Sequence, residues 1–351
     1  MRNIFVWATW LLVSAVTGFA QQITEFPIPT VNSQPSGITR GPGGNLWFAE
    51  YRGNKIGRIT TSGAVTEFLI PTPSSGPYGI TAGPDGNLWF TELLTNRIGR
   101  ITSGGTVTEF PIPTANSDSV GITAGPDGNL WFTEVFGNKI GRITTSGAVT
   151  EFPIPTPFGG PFGIAAGLDG NLWFTESQAV GKIGRITTIG AITEFPLATN
   201  TTGASGITLG PDGNLWFTEY IGPSPSFIGR ITTSGVVTDF PVPPSNRAGA
   251  QITTGPDGNL WSTDAGANTI HRITLSGLNT EFPIPTFPGS PVSITVGPDG
   301  NLWFTEFEGN HIGRITLPLP PGTPLPPSIL FALLGLAVIA LYQVKRRLPA
   351  R

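Results

Sequence analysis

Few residues in this chain are equipped for chemistry. There are two histidines, His271 and His311, and no cysteine, so thiolate nucleophiles, thiolate metal sites and disulfides are excluded, as is a histidine-rich metal cluster. The acids are more numerous but strictly periodic. Of 22 acidic residues, 20 fall into three series. One series ends a short β-prone run: Glu50, Glu92, Glu134, Glu176, Glu219, Asp264 and Glu306. A second precedes a Phe: Glu25, Glu67, Glu109, Glu151, Glu194, Asp239 and Glu281. The third occupies a turn: Asp85, Asp127, Asp169, Asp212, Asp257 and Asp299. Only Asp118 and Glu308 stand outside the pattern. The first series, gathered around an axis, would offer oxygen ligands to a divalent cation such as Mg²⁺. The turn Asp lack the spaced partners that calcium requires. Arg58, Arg100, Arg142, Arg185, Arg230, Arg272 and Arg314 also recur, and we expect them to pair with repeat carboxylates. Imidazole is the side chain best suited to proton transfer near neutral pH, which points to His311. With Glu306 and Glu308 close in sequence, it is the candidate for proton transfer, which needs a group within hydrogen-bond reach of the proton it takes. No Ser-His-Asp pattern, phosphate loop or zinc signature is present.

These residues are positioned by repeats. GNLW recurs with its Trp at 47, 89, 131, 173, 216, 261 and 303, a spacing of 42 to 45 residues. Each unit reads approximately SGITAGPDGNLWFTE, a variable stretch, NKIGRITTSGAVTEFPIPT and a second variable stretch. The runs GITAG, NLWFTE, KIGRIT and VTEFPI carry β-branched and aromatic residues that suit strands. Pro-Asp-Gly and Ser-Gly supply tight turns between them. No helical period of useful length occurs. Seven units of four strands predict an all-β fold, a seven-bladed β-propeller. The last unit stops after three strands, and the missing fourth stands at Ile23 to Ile28, so the N-terminal strand should complete the last blade. The repeated Trp should wedge between blades. Each Trp buries about 150–250 Å², an upper limit of roughly 4–6 kcal/mol at ~25 cal/mol per Å².

Variation between the units points to the working face. Turns between strands one and two and between three and four barely change, and geometry puts both on one face of the disc. The remaining connections vary and lie on the other. Binding residues concentrate on variable loops held by a rigid scaffold. The candidate ligand-binding residues there are Tyr51, Arg52, Tyr78, Phe136, Phe162, Tyr220, Arg247 and Phe307. Their aromatic rings could stack on a small molecule, a glycan or a peptide. Formal net charge is −3 and charged residues make up 12%, which argues against nucleic acid as partner.

The ends read differently. Residues 1–20 have Arg2, an apolar run from Ile4 to Val16, and Gly18-Phe19-Ala20, the pattern of a secretory signal peptide. The predicted propeller fills 21–317. Residues 318–327 form a Pro-rich spacer, 328–344 an apolar run at the short end of a membrane span, and 345–351 a basic tail. Lys345, Arg346 and Arg347 would keep that end cytoplasmic and the main domain outside. The order Pro-rich, apolar, basic resembles PEP-CTERM sorting tails, with Pro324-Leu325-Pro326-Pro327 where that class has Pro-Glu-Pro. The expected protein is exported, to the envelope or beyond, held by its C-terminal segment unless that is cleaved. The propeller is expected to be monomeric.

GITAGPDGNLWFTE and NKIGRIT, repeated from Gln22 to Thr316, resemble the virginiamycin B lyase, or streptogramin lyase, family. The resemblance implies a carbon–oxygen lyase that opens a cyclic depsipeptide by elimination, with Mg²⁺ and a His base. In the family that His stands before the Gly-Ile of a first strand. Here the seven equivalent positions hold Ser36, Tyr78, Val120, Phe162, Ser205, Ala250 and Val292. The expectation is therefore a propeller of that family without its base, binding a ligand or envelope partner on the variable face. The alternatives are a Mg²⁺-dependent lyase and a structural surface module.

Overall fold

The computed structural model describes residues 22–178, 181–197, 203–220, 227–241 and 251–317. The leader, spacer, apolar run and basic tail lie outside the described residues, as does Arg247. Between Gln22 and Thr316 the chain forms seven four-stranded antiparallel sheets, the blades. Blade one is Pro35–Arg40, Leu46–Glu50, Lys55–Ile59 and Val65–Leu69, and the others repeat that order. The only helical turn among the described residues is Pro42–Gly44. Ring closure is as expected. Gln22–Pro27 runs antiparallel to His311–Thr316, with Phe26 opposite Ile312, and completes blade seven.

The repeated Trp are fully buried and do wedge between blades. Trp47 packs with Ile56 and Ile70 of its own blade and with Ile80, Leu88 and Phe90 of the next. Trp303 does the same across the ring closure, against Ile38, Leu46 and Phe48. Each turn Asp explains itself here: Asp85 Oδ1 accepts the Trp89 indole N–H at 3.0 Å and Oδ2 accepts from Asn87 at 2.8 Å. In blade one Gly43 replaces the Asp, its φ is +70°, and the buried Trp47 indole nitrogen has no hydrogen-bond partner.

The recurring Arg take a different role from the one expected. Five of the seven meet no carboxylate; Arg58 instead lies over Trp47 and Phe68, 5.6 and 5.5 Å from the ring centroids. Its equivalents Arg100, Arg142, Arg185 and Arg314 stack alike and donate to a carbonyl in the neighbouring blade, as Arg142 does to Thr188 at 3.1 Å. Weak hydration and a flat face suit guanidinium to that place. Only Arg230 and Arg272 reach acids, the turn Asp212 and Asp257 at 3.8 and 2.6 Å. The ion pairs running through the repeat are lysines instead: Lys55–Glu67, Lys139–Glu151 and Lys182–Glu194, at 2.8–2.9 Å.

Two further devices lock blade to blade. The second-strand Thr hydroxyl accepts from its own first strand at the bulge and donates to the next first strand: Thr91 takes Gly79 N–H at 2.9 Å and gives to Val120 O at 3.1 Å. In blade one Ala49 replaces this Thr, and Ser36 makes the crossing instead, its Oγ 3.1 and 3.0 Å from Pro77 O and Tyr78 O. The second device is Asn before the third strand. Asn54, Asn96, Asn138, Asn268 and Asn310 all adopt positive φ. Asn54 gives its amide to Ile70 O and Thr72 O and accepts Ser75 N–H, pinning the inter-blade loop. Asn310 does this across the closure, to Ile28, Thr30 and Ser33.

Candidate functional site

The innermost strands enclose a cavity of about 140 Å³ on the propeller axis. Its wall includes Gly37, Gly79, Gly121 and Gly163, where neighbouring first strands approach closely, and Gln251 and Ser293, which take the Gly position in blades six and seven. A Cβ on Gly79 would stand 2.3 Å from Val120 O, and one on Gly121 2.5 Å from Phe162 O. Tyr78, Val120, Phe162 and Val292 line it as well. Tyr78, Val120, Phe162 and Val292 are four of the positions at which the resemblance implies a His. Hydrocarbon and a phenol stand there instead.

The loop face, formed by the variable connections, brings some predicted residues together. Tyr51 meets Tyr78 edge-on at 6.4 Å and Phe307 at 6.2 Å, so three blades supply one aromatic cluster at the cavity mouth. Asp118 stands at this mouth with positive φ. Burial pushes its carboxyl up, and burial, with Tyr51 and Asp118 nearby, pushes the Tyr78 phenol up as well. Tyr78 is thus held neutral, a hydrogen-bond donor rather than a base. Arg52 is exposed on the same face. Phe136 is exposed on it and takes no part in the cluster. Tyr220 ends the strand Leu215–Tyr220.

The seven second-strand carboxyls do not ring the channel. Glu50, Glu92, Glu134, Glu176, Glu219, Asp264 and Glu306 are all 0% exposed. The second strand lies behind the first, and its final side chain turns under its own loop. A Cβ on Gly53, Gly137 or Gly309 would come within 2.8 Å of Glu50, Glu134 or Glu306. Burial, with the charge of the fourth-strand Glu beside each, pushes Glu50, Glu92, Glu134 and Glu306 up to about 8 and Glu176 to about 7. Among the described residues no three His, Cys, Asp or Glu side chains converge where a metal ion could be held. Buried singly in separate blades, these carboxyls do not form the ring of oxygen ligands expected of them.

The histidines part company. His311 takes the Lys position in blade seven, opposite Glu306 in register, with Nδ1 on Gly309 O. Glu306 is sealed beneath and has no hydrogen-bond partner, whereas Glu308 is exposed and lies 3.5 Å from the Gln34 amide. No hydrogen bond joins His311 to either acid. His271 is buried in blade six, its Nε2 3.3 Å from both Asp264 and Thr269 and its Nδ1 facing Asn279. It fills space that other blades give to a Phe: a Cβ on Gly57 would stand 2.1 Å from the Phe48 ring. In blade six Ser262 replaces that Phe, so Ser262 and His271 are one exchange.

The comparisons with known proteins agree with this architecture. The model of the virginiamycin B lyase family matches residues 3–223 and 181–318. The chain belongs to the virginiamycin B lyase family. A virginiamycin B lyase from Staphylococcus aureus is 41% identical, with a TM-score of 0.78 over 85% of this chain and 100% of that one. A catalytically inactive His-to-Ala variant of the Staphylococcus aureus enzyme, solved with quinupristin, is 40% identical, with a TM-score of 0.79 over 85% of this chain and 100% of that one. A virginiamycin B lyase from Bacillus licheniformis is 45% identical over 44 residues, 12% of this chain and 15% of that protein. The chain thus matches only a short part of this curated relative.

Asp118 was visible in the sequence as a departure from the repeat on the variable face, whereas the recurrent Asn and Thr that lock the blades were not singled out. The Ser262–His271 exchange was visible only as two separate deviations.

Proposed function

We propose that this chain is an exported member of the virginiamycin B lyase family that holds a ring-bearing ligand of the cyclic depsipeptide class at the loop-face mouth of its cavity and leaves it unopened. The observation that carries this reading is the convergence of Tyr51, Tyr78 and Phe307 beside Asp118, where the first-strand positions offer no base. The quinupristin complex of a family member, 40% identical, supports the ligand class. Flat rings supply contact area with little loss of freedom, and Asp118 and the Tyr78 hydroxyl offer one acceptor and one donor. Calorimetric titration with quinupristin tests the reading. Saturable binding is expected, weakened about tenfold by Tyr51→Ala or Phe307→Ala, as loss of one aromatic contact implies. No heat of binding at millimolar ligand would refute it.

A second reading is a lyase in which His311 takes the proton, with Glu308 assisting. It is favoured by one observation: the two residues stand three apart at the loop end of blade seven, Glu308 exposed and His311 half-buried. Glu306 has no part in it, being sealed in the blade. If the protein opens the depsipeptide and His311→Ala leaves the rate unchanged, this assignment fails.

A further inference from the structure

The turn face departs from the repeat in one sector. In blades one to three the turns carry Pro42, Pro84 and Pro126, then Ala64, Thr106 and Ala148. In blades four to six Leu168 replaces the Pro, Ile189 replaces the Ser of Ser-Gly, and Val236 and Leu278 replace the Ala. All four are exposed, by 72, 86, 61 and 71%. They stand on three consecutive blades. Each three–four turn packs its Gly on the Phe of the preceding blade, as Gly190 does on Phe152, Gly235 on Phe195 and Gly277 on Phe240. Leu168 Cδ1 lies 3.4 Å from the place of a Cβ on Gly213 in the next blade. No fold requirement calls for these side chains, because the same turns close elsewhere with Ala, Ser or Pro.

The ends of the propeller leave on this same face. Gln22 is paired with Thr316, and the third strand of every blade runs from the loop face to the turn face. Beyond Thr316 come Leu317, ten spacer residues, 318–327, and the apolar run 328–344 with its basic flank. A Pro-rich spacer of that length reaches at most about 31 Å, and an apolar run of this kind is the length of a short membrane span. A tether that short keeps the face from which it issues at high effective concentration near the surface that holds it.

We propose that the turn face of blades four to six rests on a lipid bilayer, with Leu168, Ile189, Val236 and Leu278 entering the interface. The side chains project from turn apices, as apolar residues that enter the headgroup boundary do. The recurrent Arg and turn Asp on this face largely balance, so apolar burial rather than anionic lipid directs the contact. The loop face then looks away from the membrane, open to ligand. The proposal does not depend on what that ligand is.

Because the chain has no cysteine, single-cysteine labels are clean. Full-length protein is reconstituted in phosphatidylcholine vesicles containing nitroxide lipid, with an environment-sensitive fluorophore on Ile189→Cys, Leu278→Cys or, on the loop face, Phe158→Cys. Blue-shifted emission, quenched about twofold or more, is expected at 189 and 278 but not at 158. Combining Leu168→Ser and Val236→Ser with the labelled Ile189→Cys should return its quenching to the level at 158, with the circular dichroism unchanged. Equal, unquenched emission at all three positions would overturn the proposal. So would a blue shift at 189 and 278 without quenching, which would place a protein partner or a second copy there.

Discussion

His271 and Ser262 illustrate how single residues in this propeller answer to one another. Elsewhere Gly faces a Phe ring with no room for even a Cβ; in blade six the large and small partners are exchanged. Ser262→Phe alone should be strongly destabilising, since overpacking costs ~1–3 kcal/mol or more. His271→Gly alone leaves a void and strips Asp264 and Asn279 of a partner, at about 3 kcal/mol. The double variant restores the consensus and should recover most of both losses, a coupling of about 2 kcal/mol or more in urea titrations. Additive losses would disprove the exchange. The sequence exposed these deviations but not their reciprocity, because residues on adjacent strands are nine apart in the chain. Nor could it assign the Arg: a guanidinium opposite a carboxylate and one stacked over Trp and Phe need the same repeated residue.

The second and fourth strands carry opposite acids. Burial holds Glu50, Glu92, Glu134, Glu176 and Glu306 above the ordinary carboxylate range, so the fold favours their neutral forms. That contribution is complete below the ordinary value near 4.5 and disappears as pH rises through about 7 to 8. Glu67, Glu151 and Glu194 are also penalised by burial, but hydrogen bonds from Lys and Thr outweigh it and lower them. Burial likewise opposes the turn Asp, and Asn and Trp donors overcome it. Those contributions are lost as pH falls through the lowered values. Stability should therefore peak in mildly acidic solution, and the thermal midpoint should drop by roughly 5 °C or more between pH 5.5 and 8.5. A midpoint rising over that interval would contradict the buried neutral acids. Loop pinning gives a second check at this scale. Asn310→Gly keeps the positive φ but removes the clamp on Ile28, Thr30 and Ser33, and should cost about 1–3 kcal/mol by chemical denaturation. The element boundaries were readable because each strand and turn is stated six or seven times. The depth of the second-strand acids was not, since it depends on the first strand lying between them and the axis.

For the molecule as a whole, closure was the most legible feature: the last unit lacks one strand, and the strand it needs precedes the first. A chain lacking 22–27 should lose the cooperative melt of the ring, because Trp303 and the His311–Thr316 edge lose Phe26 and their hydrogen-bonded neighbour. An unchanged melting midpoint in the truncated chain would argue for an open stack. The site was harder to read, because only deviations from the repeat carry it, and which deviations meet is decided by curvature of the ring. Tyr51, Tyr78 and Phe307 come from blades one, two and seven and meet only because the ring closes. Ring opening is the most direct measurement of all. Full-length protein is incubated with virginiamycin B and Mg²⁺, and linear product is followed by mass spectrometry. The filled base positions predict depsipeptide that is bound but intact. EDTA-sensitive linearisation above the uncatalysed background would contradict that prediction.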